Sequence, residues 1–370
     1  MTSIGVVFGG LSPEHDISIL TGLQAARLLA SAGRDVVCLY WTRSGAWVRV
    51  PPDLEGSDFT GTEVPGASAV ALRVPEGFTE RRRMKDVALD LDVVVNCCHG
   101  GPGEDGTLAG LLGLAGLRVT GPGPEASAWA MDKLATAGLV SLAGLGRYGI
   151  EAIPTVAVTG RLEGLELPPP WVVKPRFGGS SVGVEVGVED VDTALALART
   201  GIARGGAVLQ PQLVGWSDLN MAVRTHPEPQ CSAIERPLTA GAVYGYAEKY
   251  LAGSDGMESA RRELPAPLPD GVADRMHGAG LALAAAMGLT GTPRIDFLHD
   301  GADRLALCEV NAIPGSLALY LWAAAGVDRT RVVLDLVDEA RAAPVVPAHW
   351  SSATDGAALR AAHTVASKLR

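Results

Sequence analysis

The sequence predicts a mixed chain, α/β at its N-terminus and α+β beyond it. Two observations carry this. In the first third, short continuously apolar runs alternate with segments of helical period, the pattern of a parallel sheet covered on both faces. Near the C-terminal end, "RIDFLHDGADRLALCEVN" places two strands around an Asp-Gly turn, the pattern of a hairpin. A length of 370 residues predicts two or three modest domains rather than one.

The elements follow in order. "IGVVF", Ile4 to Phe8, is a short apolar strand that ends in Gly9-Gly10. Ser12 followed by Pro13 predicts a helix start, a capping side chain before proline at the first helical position. Ile19, Leu23, Ala26 and Ala30 then recur at helical spacing. "DVVCLYW" and "LDVVVNC" read as further buried strands. A second region opens near Gly121-Pro122, with "EASAWAMDKLATAGLV" as one helix, "PTVAV" and "WVVKP" as strands, "VEDVDTALALART" as a helix and "AVLQP" as a strand. A third begins near Gln210 with "LNMAVRT" and "CSAIER". It continues through a long helix around "ADRMHGAGLALAAAMG", the hairpin and a helix at "RVVLDLVDEARAA", then a proline-rich link and a short terminal helix.

Composition excludes some functions. The chain is 47% hydrophobic and 19% charged, enough to build real cores. A net charge of -10 argues against general nucleic-acid binding, which needs a basic face. The one basic run, "RRRMK" at Arg81 to Lys85, sits beside acids and reads as a solvated face. Five cysteines without metal-like spacing suggest free thiols in a reducing compartment. With no signal segment and no long apolar span, the expectation is a cytoplasmic protein without a membrane partner.

Three stretches carry chemistry. In the hairpin, side chains alternate faces with period two, so Arg294 and Asp296 share one face and Glu309 and Asn311 share another. If the register aligns those faces, two carboxylates and an amide oxygen converge beside an arginine. Such oxygen ligands suit Mg²⁺, which also keeps waters and nucleotide phosphates. A solvent-facing hairpin is the alternative, but acids in otherwise apolar strands would then be costly. In "HGGPGEDGT", a polar Gly-rich loop follows a strand, the place where open α/β sheets bind ligands. There His99 is either a ligand-facing group or a hydrogen-bonded core histidine. Finally, only five of the 31 Lys and Arg residues are lysine. Two of them, Lys133 and Lys174, come from different elements and could clamp the phosphates of ATP. The loop after Lys174, "GGSSVG", either closes over those phosphates by its N–H groups or is an ordinary turn. Its lysine precedes the glycines, the reverse of a Walker loop.

Seven segments in order resemble the D-alanine–D-alanine ligases of the ATP-grasp superfamily: "VVFGGLSPEHDIS", "HGGPGEDGTLAGLL", "TGPGPEASAWAMDK", "VVKPRFGGSSVGV", "YAEKYL", "RIDFL" and "EVNAIPGS". In that superfamily a lysine ahead of a Gly-Ser hairpin is the expected order. The resemblance implies an ATP-grasp fold with an N-terminal Rossmann-like domain. The divisions are 1–121 for substrate, 122–209 for the central subdomain and 210–370 for the catalytic domain and terminal helix. It implies ATP and two Mg²⁺ ions, replaceable by Mn²⁺, with Lys133, Lys174, Ser181, Gln210, Asp218 and Lys249 on the nucleotide and Asp296, Glu309 and Asn311 on the metal. Glu14, Ser180, Tyr250, Arg294 and Gly315 match catalytic positions, Glu14 and His99 match substrate positions, and on the acceptor side either Ser316 substitutes for the family's residues or Tyr320 and Leu321 occupy the equivalent ground. The implied activity joins two D-alanines through an acyl-phosphate for peptidoglycan, in a cytoplasmic homodimer, with the segment from Ala247 to Leu264 as a mobile lid.

Two places depart from the family pattern. Gln210 stands where a glutamate usually reads the adenine amine. After Asn311 the chain reads "IPGSLALYLW" instead of the usual Thr-Ser stretch, which leaves the acceptor open: D-alanine, another amino acid, or an unrelated amine or hydroxyl compound. A sibling ligase with another donor or acceptor and a catalytically silent ATP-binding protein are the alternative readings.

Overall fold

The computed structural model describes residues 2–83, 85–158, 166–200, 205–238, 261–343 and 360–361. Three sheets dominate the described residues. The first has eight strands in the order 85–88, 77–82, 68–73, 47–50, 36–41, 3–9, 91–96 and 118–119. Its last four strands are parallel, as the apolar runs predict. The strands from 47 to 88 extend it as an antiparallel meander, which the reading as a purely parallel sheet missed. The links at 42–46, at 74–76 and between Arg82 and Lys85 are too short for crossover helices, so the strands they join run antiparallel. Arg81, Arg82 and Lys85 lie exposed on this extension, as a solvated face should.

The helix His15–Ser31 packs on the parallel strands through Ile19, Leu23 and Ala26, all buried. Gly22 permits the contact, because a Cβ there would lie 2.5 Å from Phe8 Cβ. The helix begins later than the Ser12-Pro13 signal predicts. Ser12 is not its cap: the hydroxyl donates to the His99 carbonyl at 2.6 Å and accepts from Glu14 N–H at 3.1 Å, tying two loops together.

The second sheet is antiparallel, in the order 156–158, 207–211, 171–175 and 185–188. The segment expected as one helix ahead of it is two, Pro124–Met131 and Lys133–Leu142. They part at Asp132, which takes an extended conformation, bridges to Phe177 and accepts from Leu134 N–H at 3.0 Å as a cap. Arg176 holds the same carboxylate. The break puts Lys133 at a helix start, facing the second sheet.

The third sheet orders strands 230–231, 217–224, 294–299, 305–311 and 150–152. Behind it lies the helix Val272–Met287, whose Gly280 admits Met221. A small strand pair, Arg236–Pro237 with Arg262–Glu263, closes one end. The expected lid therefore ends in a strand rather than a loop, and its residues 247–260 lie outside the described residues, as does all but 360–361 of the expected terminal helix.

Candidate functional site

The hairpin is the rigid part of the site. Arg294–His299 pairs antiparallel with Leu305–Asn311, placing Asp296 opposite Glu309 and Arg294 opposite Asn311. The register therefore aligns the two polar faces. Arg294 grips Asp296 with two parallel bonds of 2.7 Å each. Asn311 Nδ2 donates to the same carboxylate at 3.0 Å. Asp296 is only 5% exposed, so these donors offset its desolvation. Burial alone would lower the basicity of Arg294. The Asp296 carboxylate overcomes this and lifts the guanidinium well above its usual range, so its charge is permanent.

Both lysines reach this hairpin's surroundings. Lys133 Nζ lies 3.8 Å from Glu309 Oε2 and donates to the Gly178 carbonyl. Its burial, with Lys174 nearby, lowers its pKa, while Glu309 opposes that. Lys174 ends its strand only 8% exposed, pointed at the same space. The Gly-Ser loop between them is not an ordinary turn. Ser180 and Ser181 both have left-handed φ, 49° and 58°. The Ser180 hydroxyl reaches across to donate to Glu14. Gly179 allows that approach, since a Cβ there would lie 2.6 Å from Glu14 Oε2.

All of these groups line one cavity of about 500 Å³. Glu14, His99, Lys133, Lys174, Ser180, Ser181, Gln210, Asp218, Arg294, Asp296, Glu309, Asn311, Gly315 and Tyr320 share its wall. Lys249 and Tyr250 lie outside the described residues. Ser316 is not in the wall: its N–H donates to Thr21 Oγ1 at 3.0 Å, because Ser316, Leu317 and Ala318 run left-handed and turn the chain away.

Residues 3–122 match the model of the D-ala D-ala ligase N-terminus, and residues 158–338 match that of the D-ala D-ala ligase C-terminus. The D-alanine–D-alanine ligase of Synechococcus sp. (strain CC9605) is 33% identical, covering 91% of this chain and 98% of its own. That of Rhodococcus jostii (strain RHA1) is 32% identical, covering 92% and 97%. This chain belongs to the D-alanine–D-alanine ligase family. Among solved structures, the VanG D-Ala:D-Ser ligase from Enterococcus faecalis superposes with a TM-score of 0.72 at 25% identity, covering 92% of this chain and 99% of that one. The D-alanine–D-alanine ligase from Coxiella burnetii superposes at 0.73 with 21% identity, covering 92% and 94%, and shows the fold. That fold is ATP-grasp.

Within this family member, the cavity also holds groups that sequence reasoning passed over. Glu104 is buried and accepts from Gly100 N–H at 2.8 Å and Ile313 N–H at 3.1 Å. Burial, then the neighbouring Glu14 carboxylate, pushes its pKa up to about 7. Its signal was its place in "HGGPGEDGT", where only His99 was weighed. His99 itself bonds Ile313 O at 2.8 Å and Thr21 Oγ1 at 2.7 Å. Burial drives its pKa down to about 4, with Arg294 adding to the effect, so it is a neutral strut at the cavity edge. Gln210 donates to Thr155 Oγ1 at 2.7 Å. The remaining missed residues, Asn220, Glu235 and Arg262, cluster with Tyr320. No local pattern marks them, because they come from separate segments.

A metal fits part of this wall. Among the described residues no group of three or more His, Cys, Asp or Glu forms an all-protein cage. Asp296, Glu309 and Asn311 instead offer a small set of hard oxygens, suited to an ion that arrives with nucleotide phosphates. No helix among the described residues is long and apolar enough to cross a membrane.

Proposed function

We propose that the chain is an ADP-forming ligase that joins two D-alanines at the expense of ATP, giving D-alanyl-D-alanine for peptidoglycan. The observation that carries this is the shared cavity: Lys133, Lys174 and the Asp296–Glu309 pair surround one space. ATP would lie against Lys133, Lys174 and the Gly-Ser loop, with Gln210 and Asp218 toward its adenosine and Lys249 and Ser181 toward its phosphates. Asp296, Glu309 and Asn311 would hold Mg²⁺, which would neutralise charge on the nucleotide phosphates. Glu14 receives the first amino acid's ammonium group, and Ser180 holds Glu14 for that task.

The chemistry follows from charge placement. The donor carboxylate attacks the γ-phosphorus, its bond to the β-phosphate oxygen breaks, and ADP leaves. Lysines and Arg294 lie where negative charge accumulates on the transferred group, and positioning does the rest. The amine of the second amino acid then attacks the acyl carbon while phosphate departs. Enclosure by the Gly-Ser loop limits hydrolysis of the acyl-phosphate. Tyr250, Gly315, His99, Ser316 and Tyr320 belong to the amino-acid side in this reading. A homodimeric cytoplasmic enzyme with divisions at 1–121, 122–209 and 210–370 goes with it.

Phosphate release measured across D- and L-amino acids tests the proposal. Release that requires D-alanine, with dipeptide found by mass spectrometry, is expected. No turnover with any amino acid would leave only nucleotide binding. One observation favours a sibling ligase with another acceptor: the altered segment after Asn311 turns Ser316 out of the wall and brings Tyr320 into it.

A further inference from the structure

Four polar side chains meet at one corner of the cavity: Asn220, Glu235, Arg262 and Tyr320. Asn220 is the strand partner of Asp296, so its amide stands beside the proposed transfer centre. It is 5% exposed. Its Nδ2 donates to Glu235 Oε1 at 3.3 Å. That bond fixes which way the amide faces, because a flip would set carbonyl against carboxylate. Oδ1 is then buried with no hydrogen-bond partner among the described residues. Leaving a buried acceptor unpaired is unfavourable, and a bound donor would recover that loss.

The neighbours are acceptors too. Tyr320 gives its only hydroxyl proton to Glu235 Oε1 at 2.5 Å, so its oxygen has only lone pairs left to offer. Arg262 binds Glu235 Oε2 at 3.1 Å and lies 4.6 Å over the Tyr320 ring, which holds both in place. The donors of the corner, Arg262 and the Asn220 amide, are turned on Glu235, and neither is bonded to Asn220 Oδ1, which is left for an N–H or O–H donor from a ligand.

We infer that Asn220 Oδ1, with Tyr320 Oη and Glu235 beside it, receives the N–H groups of the amine that attacks the acyl-phosphate. This corner is thus the subsite for a primary amine and discriminates against a hydroxyl nucleophile. The inference rests on the ligase reading above. When the amine lone pair forms the C–N bond, the acyl C–O bond breaks and its electrons leave with phosphate, which also carries off the displaced proton. The nitrogen still keeps an N–H for Asn220. A hydroxyl surrenders its only proton as its C–O bond forms, and Oδ1 is stranded again. The preference is therefore expressed in the transition state.

A competition experiment tests it. The purified full chain, with ATP, Mg²⁺ and D-alanine, is offered D-lactate at equal concentration to D-alanine, and mass spectrometry reads the ratio of dipeptide to ester-linked product. The wild type is expected to favour dipeptide, and Asn220→Leu to lower that ratio about tenfold or more. Tyr320→Phe, which keeps the ring under Arg262, is expected to lower it by a smaller factor and decides the matter alone if Asn220→Leu fails to show an ADP-dependent rise in melting temperature. A ratio unchanged in folded, active variants overturns the inference while the ligase reading survives. So does an altered Mg²⁺ requirement without a change in ratio, which would make Asn220 a metal ligand instead. Absence of any D-alanine-dependent phosphate release from the wild type removes the ligase reading, and the inference with it.

Discussion

The hairpin and the amine corner are walls of the same cavity and rest on the same five-stranded sheet, yet they are built in different ways. Arg294, Asp296, Glu309 and Asn311 lie on two adjacent strands, and one register brings them together. Asn220 and Glu235 meet across an isolated antiparallel bridge, and Arg262 and Tyr320 are packed against them from two further segments. The first group binds itself: Arg294 and Asn311 both donate to Asp296. The second leaves an acceptor open. A self-satisfied wall suits charge that must stay fixed through a reaction, and an unsatisfied one suits recognition.

If this contrast holds, the largest losses of activity belong to the hairpin. Asp296→Asn, which removes the charge that holds Arg294, is expected to lower kcat for phosphate release about a thousandfold. A loss below tenfold would mean the hairpin is scaffolding. Next in size is Lys174→Ala. The expected fall in kcat/KM for ATP is about a hundredfold, since a buried cation is lost from the phosphate side. If ATP dependence were unchanged and only amino-acid kinetics moved, Lys174 would belong to the other wall.

Stability probes sharpen the contrast on the N-terminal side. Glu104 has a folded pKa of about 7 against an ordinary 4.5, raised chiefly by burial. The folded chain therefore binds more protons than the unfolded chain across that interval, and the contribution favours folding at low pH and is lost as pH rises toward 7. His99 runs the other way: its folded pKa of about 4 means stability present above 6.5 is lost as pH falls. Melting curves of Glu104→Gln against wild type are expected to diverge in the variant's favour between pH 4.5 and 7, and to run parallel above that. A constant offset would show that Glu104 is ionised throughout. The smallest effect is expected for Asp132→Ala. It removes both the cap that starts the Lys133 helix and the carboxylate that Arg176 holds, and the melting temperature should fall by about 2–4 °C for each kcal/mol lost.

Legibility in the sequence follows the same division. Period-two alternation put Arg294 with Asp296 and Glu309 with Asn311, the register that sets Asp296 opposite Glu309 came from the structure, and the resemblance named the lysines that join them. The single helix expected across Asp132 was wrong because helical period runs through that residue unbroken. The break is imposed by Arg176 and the bridge to Phe177, partners from a distant strand. Ser12 misled in the same way, since a hydroxyl that can cap a helix can equally bridge two loops. Ser316 offered a hydroxyl that could substitute for the missing Thr-Ser stretch, but three left-handed residues carried it to Thr21. Glu104 was visible as a letter in a polar loop, while its burial against Glu14 was not.

The sequence by itself determined the strands that read as continuous apolar runs, most helices, the family and the charge-bearing residues of the hairpin, because these depend on local period and on motifs contiguous in the chain. Tertiary structure alone decided which carboxylates sit together, which histidine stays neutral and which amide carbonyl is left without a donor. Those properties depend on burial and on neighbours that arrive from elsewhere in the chain, and a residue's letter records neither.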